Sequence, residues 1–204
     1  MNINKEAECE VVKKQIQKTQ KDWIKYFNKK GEKMISAADI YQLAKEENKG
    51  LIESLQKDFK DMWVITSTRV IYNKDDLNAE IIHDADSTIV KPKVYGNIKI
   101  PDYGEEAKEN PDTEAYLQAL FDTEDKIDII LKILKRFDSN KKIYLWTPSQ
   151  SSRRDKQIRS VGLDFDSLGG FFVDGYGWFD DYGGLSRGVL VSSAKQSKKS
   201  EAKK

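Results

Sequence analysis

The chain has one cysteine, Cys9, and one histidine, His83, among 204 residues. A single cysteine excludes an internal disulfide framework and any metal site built from clustered cysteines. A single histidine excludes a zinc site with two or more imidazoles supplied by this chain alone. His83 stands in IIHDADS, a His-Asp pair similar to those of metal-dependent phosphohydrolases, but those enzymes need further histidines. The favoured reading is a polar residue at the end of a strand. No apolar run approaches the eighteen residues of a membrane span. The start, MNINKEAECEVVKKQ, lacks the apolar stretch of a signal peptide, so synthesis in the cytoplasm is expected. Charge of one sign is also missing. The formal net charge is +1, with 34% charged and 38% hydrophobic residues, a soluble composition from which no partner class follows.

What is present divides by period. AECEVVKKQIQKTQKDWIKYFNKK, residues 7–30, sets Val12, Ile16, Trp23 and Phe27 near helical spacing and predicts an amphipathic helix ending near Gly31. Ser36 with Asp39 three residues on reads as an N-cap with an acidic third position, opening a second helix that Gly50 closes. LIESLQKDFKD then predicts a third, shorter helix, making residues 1–60 a helical region. From Met62 the residues turn β-branched and aromatic. MWVITSTRVIY and AEIIHDADSTIV, separated by the turn signal NKDDLN, predict a hairpin, and VYGNIKI a further short strand. IPDYGEEAKENPD reads as a polar loop. Residues 113–137 carry Leu117, Leu120, Ile127, Ile130, Leu131 and Leu134 along one face and predict one helix or two short ones. KKIYLWTPSQ predicts a strand ending at Pro148, IRSVGLDF another, and LSRGVLVSS a last one. The tail, 193–204, is basic and poor in apolar residues, the composition of a disordered end.

One segment departs from the rest. Between Val161 and Gly188 lie eight of the twelve glycines, seven aromatics and no lysine, and Arg187 is the only cation. Glycine costs about 1 kcal/mol per helical position relative to alanine, so this stretch is read as loops and short strands. Tyr and Trp offer large contact area with few torsions to freeze, Gly and Ser allow unusual dihedrals, and Asp supplies fixed polar contacts, so DGYGWFDDYGG reads like a binding loop. Phe171 and Phe172 are read as core. For Tyr176, Trp178, Asp180, Asp181 and Tyr182, surface contact and core packing both stay open. Calcium is a rival use of Asp164, Asp166, Asp174, Asp180 and Asp181, but DFDSLGGFFVDG lacks the ligand pattern of an EF-hand, with Leu168 at its fifth position and Gly175 at its twelfth. Paired acids also fit glycoside hydrolysis, a weak signal in a chain with 34 acidic residues. Arg153, Arg154 and Arg159 are read as internal braces for neighbouring carboxylates. Nucleic acid is not an expected partner, because the aromatics here alternate with Asp and Gly rather than with cations.

A strand ending in LWTPSQ, an arginine-bearing connection, IRSVGLDF, and a Gly-, Tyr-, Asp- and Trp-rich stretch closed by GLSRGV together resemble the C-terminal half of the variable proteins of diversity-generating retroelements. The resemblance spans roughly residues 62–192, and the lysine- and isoleucine-rich style suggests an archaeal or viral member. It implies an α+β fold with a C-type-lectin-like domain over 61–192, preceded by N-terminal helices over 1–60. Within that domain it implies a variable segment at about 162–188, with diversified ligand contacts at Asp166, Ser167, Leu168, Asp174, Tyr176, Trp178, Asp180, Asp181 and Tyr182 and framework positions at Gly162, Arg187 and Gly188. In that family a reverse transcriptase rewrites adenines of a template copy, which favours Asn, Tyr, Asp, Ser and Gly codons. The expected partner is a protein or glycan on a cell or particle surface, with no cofactor, no metal, no membrane insertion and no catalysis, and a virion surface is one location that fits. The departures are the lone cysteine, where lectins usually carry disulfides, and WFDD in place of a Trp-Asn-Asp calcium ligand set. Two other readings stay open: a carboxylate-dependent glycan hydrolase using Asp164, Asp166, Asp180 or Asp181, and a viral structural or assembly protein.

Overall fold

The computed structural model describes residues 18–74, 76–101, 106–108, 110–148, 156–165, 170–178, 180 and 183–191. Cys9, Val12, Ile16, Arg153, Arg154 and the basic tail lie outside them. The architecture is α+β. Six strands form one sheet in the order β5 (Lys93–Lys99), β4 (Asn78–His83), β3 (Val64–Tyr72), β7 (Gln157–Phe165), β8 (Gly170–Trp178) and β6 (Lys142–Trp146). All neighbours are antiparallel except β6 and β8.

The helices form where the capping chemistry allows. In α1 (Gln20–Lys30), Thr19 caps the start and Gly31, at φ 74°, takes the left-handed position that ends it. In α2 (Ala37–Lys45), Ser36 and Asp39 form the reciprocal capping box expected from their spacing. Gly50 does not close α2, contrary to the sequence reading. The chain turns at Glu47, at φ 56°, and Asn48 caps α3 (Lys49–Asp61), which carries Gly50 in its first turn. With 13 residues α3 is also longer than α2, with 9, not a shorter helix. The predicted helical stretch after residue 112 is two helices, α4 (Pro111–Phe121), with proline in its first turn, and α5 (Ile127–Leu134).

Strand alternation divides the sheet into two faces. One buries Val64, Val70, Ile81, Ile143, Leu145, Leu163 and Val173 against α2 to α5, with Ile40, Leu55, Phe59, Leu117 and Leu134 in the same core. The helices before residue 60 and the sheet after it therefore share one apolar interior. On the opposite face, α1 packs Trp23, Ile24 and Phe27 onto Met34 and Ile65. The two ends of the described chain are tied together there. β1 (Lys18–Thr19) pairs with β9 (Gly183–Gly184), and β2 (Lys33–Met34) pairs with β10 (Gly188–Val189). The Trp23 indole N–H adds a 2.7 Å hydrogen bond to the Gly184 carbonyl.

β3 is interrupted between Ile65 and Arg69, where Thr66, Ser67 and Thr68 bulge out of register with β7. Their backbone groups are satisfied from outside the ladder. The Gln20 amide donates to the carbonyls of Thr66 and Thr68, and Ser67 exchanges backbone hydrogen bonds with Ile35 and Ala85.

Candidate functional site

β6 reads Lys-Ile-Tyr-Leu-Trp, and its period of two sends Ile143 and Leu145 into the core and Tyr144 and Trp146 to the other face. β8 does the same with Phe171 and Val173 inward and Phe172 and Asp174 outward. The registers then assemble two adjacent rows on this second face. Tyr144 lies beside Phe172, which lies opposite Asp164, and Trp146 lies beside Asp174, which lies opposite Gly162. Tyr144, Trp146, Phe172, Asp164 and Asp174 are all half-buried. The rings of Tyr144 and Phe172 are nearly parallel, 5.3 Å apart between centroids, and Trp146 meets Phe172 edge to face at 5.5 Å. Three aromatic and two carboxylate side chains thus share two adjacent rows across three strands, with Lys142 in the next row on the same face, opposite Gly170.

The glycines of this segment have a steric role here. A Cβ on Gly170 would stand 2.5 Å from Cε2 of Phe172 and 3.0 Å from Cδ2 of Tyr144, so only glycine leaves room for the two rings. A Cβ on Gly162 would touch the Trp63 ring at 3.4 Å, which brings a further indole beside the Asp174 row. Aromatic rings covering cross-strand glycines are a known device for stabilising such positions in sheets.

The sequence-predicted residues divide accordingly. Asp174 belongs to the face just described. Tyr176 and Trp178 are on β8, where the register sets Trp178 opposite Arg159, and their side chains lie outside the described set. The reading of DGYGW as loop is therefore corrected: it is the second half of a nine-residue strand, hydrogen-bonded to β7. Asp180 is exposed in a turn after β8. Asp166, Ser167, Leu168, Asp181 and Tyr182 lie outside the described residues. Phe171 is core as expected, but Phe172 is not, because adjacent strand residues cannot face the same side. Of the expected framework positions, Gly162 lies under Trp63 and Gly188 pairs with Met34 beside Phe27. Arg187 binds Asp58 Oδ2 through Nε at 2.8 Å and Ser54 Oγ through Nη2 at 2.7 Å, anchoring the closing segment to α3. Tyr144, Trp146 and Trp63 were not predicted, although the alternation in KIYLW is a signal that could have found two of them.

A second polar cluster lies at the β3 bulge. Lys33 Nζ is 2.8 Å from Asp39 and 3.1 Å from Asp84, with all three side chains nearly buried. Burial works against the Lys33 charge, but the two carboxylates outweigh it and hold its pKa above the ordinary value. Burial pushes Asp84 up, and Lys33 opposes that shift. His83 ends β4 and is buried beside them. Its Nε2 is 2.8 Å from the Ala119 carbonyl, which can only accept, so Nε2 carries the proton. Burial lowers its pKa and keeps it neutral. Nδ1 then accepts from the Thr68 hydroxyl at 3.0 Å, and that hydroxyl accepts from the Ala37 N–H at 3.0 Å. Every polar atom of the ring is used internally, so this cluster braces α2 against the bulge rather than offering chemistry to a ligand.

Among the described residues no group of three or more His, Cys, Asp or Glu side chains is placed to hold a metal ion. Among them, too, no helix is long and apolar enough to cross a membrane. No family model, curated protein or solved structure matches this chain.

Proposed function

We propose that this is a non-catalytic ligand-binding protein with a C-type-lectin-like domain, and that it recognises its target with the outward face of β6, β7 and β8 and the segment that follows. The observation that carries this reading is the grouping of Tyr144, Trp146 and Phe172 with Asp164 and Asp174 in two adjacent rows on one half-buried face. Aromatic rings already held by their neighbours bring contact area at small entropic cost, and flanking carboxylates set polarity, which is the composition of recognition surfaces. Diversification by a retroelement is part of the proposal. Its support is the Asp, Tyr, Ser and Gly content of residues 162–188, set at the C-terminal end of the fold and next to the aromatic rows. Arg187 and Gly188 suit framework positions because each is held by contacts that a varying residue could not keep, and Gly162 packs beside the Trp63 ring.

Two experiments test it. The first is a search of the adjoining DNA for a near-copy of the codons for 158–189 that differs almost only at adenines. Such a repeat beside a reverse-transcriptase gene is the expected result, and its absence together with no adenine-directed variation among isolates removes the retroelement part. The second is a screen of the full chain against arrayed cell-surface proteins and glycans. A captured target lost in both Trp146→Ala and Asp174→Asn, with melting temperatures maintained, is expected. A target indifferent to both places recognition elsewhere, and glycan turnover abolished by Asp174→Asn would make the protein an enzyme.

A further inference from the structure

We infer that the outward face of α1 is an adsorption surface for anionic phospholipid headgroups, so that the protein docks on a negatively charged bilayer surface without inserting into it. Lys21, Lys25 and Lys29 stand four residues apart, one above another at about 6 Å along the helix. All three are exposed, as are Tyr26 and Lys30 on the adjoining part of the helix. Lys18 joins them from β1, its Nζ 5.9 Å from the centre of the Tyr26 ring, and Lys30 Nζ lies 4.6 Å from the same ring. Asp22 is the only acid in the helix, and Glu32 beyond its end lies against Gly188. Five lysines and one acid thus share one face of a chain whose net charge is +1, so the remainder is net negative and the molecule is electrically polarised.

The chemistry of the face fits a bilayer surface. Lys33, Lys45, Lys93, Lys99, Lys126 and Lys142 each lie within 3.3 Å of a carboxylate. Lys21, Lys25 and Lys29, by contrast, have no ion-pair or hydrogen-bond partner among the described residues. Lysine is a point charge on a flexible stem, suited to a fluid array of headgroups that sets no fixed spacing, whereas a built phosphate site favours arginine forks, and α1 has no arginine. The apolar stripe of α1, Trp23, Ile24 and Phe27, is buried with Met34 and Ile65, so the helix has no apolar face to give to hydrocarbon and contact stops at the headgroups. Tyr26, edge to face with Trp23 and Phe27, presents an amphipathic ring at that level. Nucleic acid is the rival polyanion. Single strands stack their bases on open aromatic rings, and here two ammonium groups already lie against the Tyr26 ring. Each lysine held near an anionic membrane strengthens binding about fivefold, within a Debye length of about 10 Å at 0.1 M salt.

The test is sedimentation of the full chain with vesicles of phosphatidylcholine alone and of phosphatidylcholine with one-third phosphatidylserine. The chain should bind the anionic vesicles only, and should release them at about 1 M salt, where the Debye length is about 3 Å. Lys21→Gln, Lys25→Gln and Lys29→Gln combined should weaken binding about a hundredfold with the melting temperature maintained, and the same three changes to Glu should weaken it further. Lys57→Glu, Lys91→Glu and Lys132→Glu combined change the net charge at exposed positions on other elements and should cost far less. Failure to bind the anionic vesicles, equal binding to the neutral ones, indifference to the α1 variants, or an equal loss in the two glutamate variants overturns the inference. Retention of a single-stranded or duplex oligonucleotide without vesicle binding overturns it as well, and makes the face a nucleic-acid site.

Discussion

At the scale of single residues, burial decides what the titratable and small side chains can do. His83 has a native pKa below its ordinary value of 6.5, with burial as the main cause. Below 6.5 the unfolded chain takes up a proton that the folded chain refuses, so stability falls as pH drops from 6.5 toward the native value. Urea unfolding at pH 7.5 and 5.5 should show this loss, and His83→Gln, which can still donate and accept, should reduce it. An unchanged pH dependence in the variant would mean that His83 is not the group responsible. Gly170 is decided by sterics. Gly170→Val forces Phe172 and Tyr144 apart and should cost about 1–3 kcal/mol, the range for overpacking a close contact. Chemical denaturation measures this, and a neutral substitution would show that the two rings do not rest on that glycine.

At the scale of elements, local chemistry set most starts and stops. The Ser36–Asp39 capping box and the left-handed Gly31 are legible because each satisfies helix-end groups with residues a few positions away. Gly50 misled because glycine is a helix stop only when its dihedrals are left-handed, and here Glu47 takes that role instead. Gly50 has nothing within 4 Å of a prospective Cβ, so Gly50→Ala should stabilise the protein by about 0.4–1 kcal/mol, read as a raised denaturation midpoint. A destabilised variant would mean that the first turn of α3 is not helical. The second half of β8 was read as loop for a related reason. The glycines of β8 weaken a strand considered alone, but in the sheet the space beside them is taken by Tyr144 at Gly170, by Tyr72 and Tyr116 at Gly175 and by Trp63 and Ser160 at Gly177, residues from other parts of the chain.

At the scale of the whole molecule, the helices before residue 60 and the sheet after it share one apolar core. Ile40, Leu43, Leu55 and Phe59 share a core with Val64, Val161 and Val173. A fragment of residues 61–204 should therefore lack a cooperative thermal transition and show poorly dispersed amide resonances. A folded fragment would mean that the sheet is stable without its helical layer. The β1–β9 and β2–β10 pairings and the Arg187–Asp58 ion pair add ties between the two ends of the described chain. They should make the full chain unfold in a single transition by calorimetry.

The sequence by itself determined the elements. Periods of 3.6 and 2, the caps and the turn residues are local properties, and they place the helical stretches and the strands of the main sheet other than β8 close to where they lie. Composition also marked residues 161–188 as different, and that segment does enter the candidate site through Gly162, Asp164, Phe172 and Asp174. Strand order, faces and register belong to the tertiary structure. Which neighbour β8 takes on each side is a matter of long-range pairing, and only the parallel match of β6 to β8 brings Tyr144 and Trp146 beside Phe172 and Asp174. The neutral tautomer of His83 was settled in the same way, by a carbonyl 36 residues away. Local pattern cannot carry that information, because the energy of a cross-strand contact depends on which two residues the whole fold sets opposite each other.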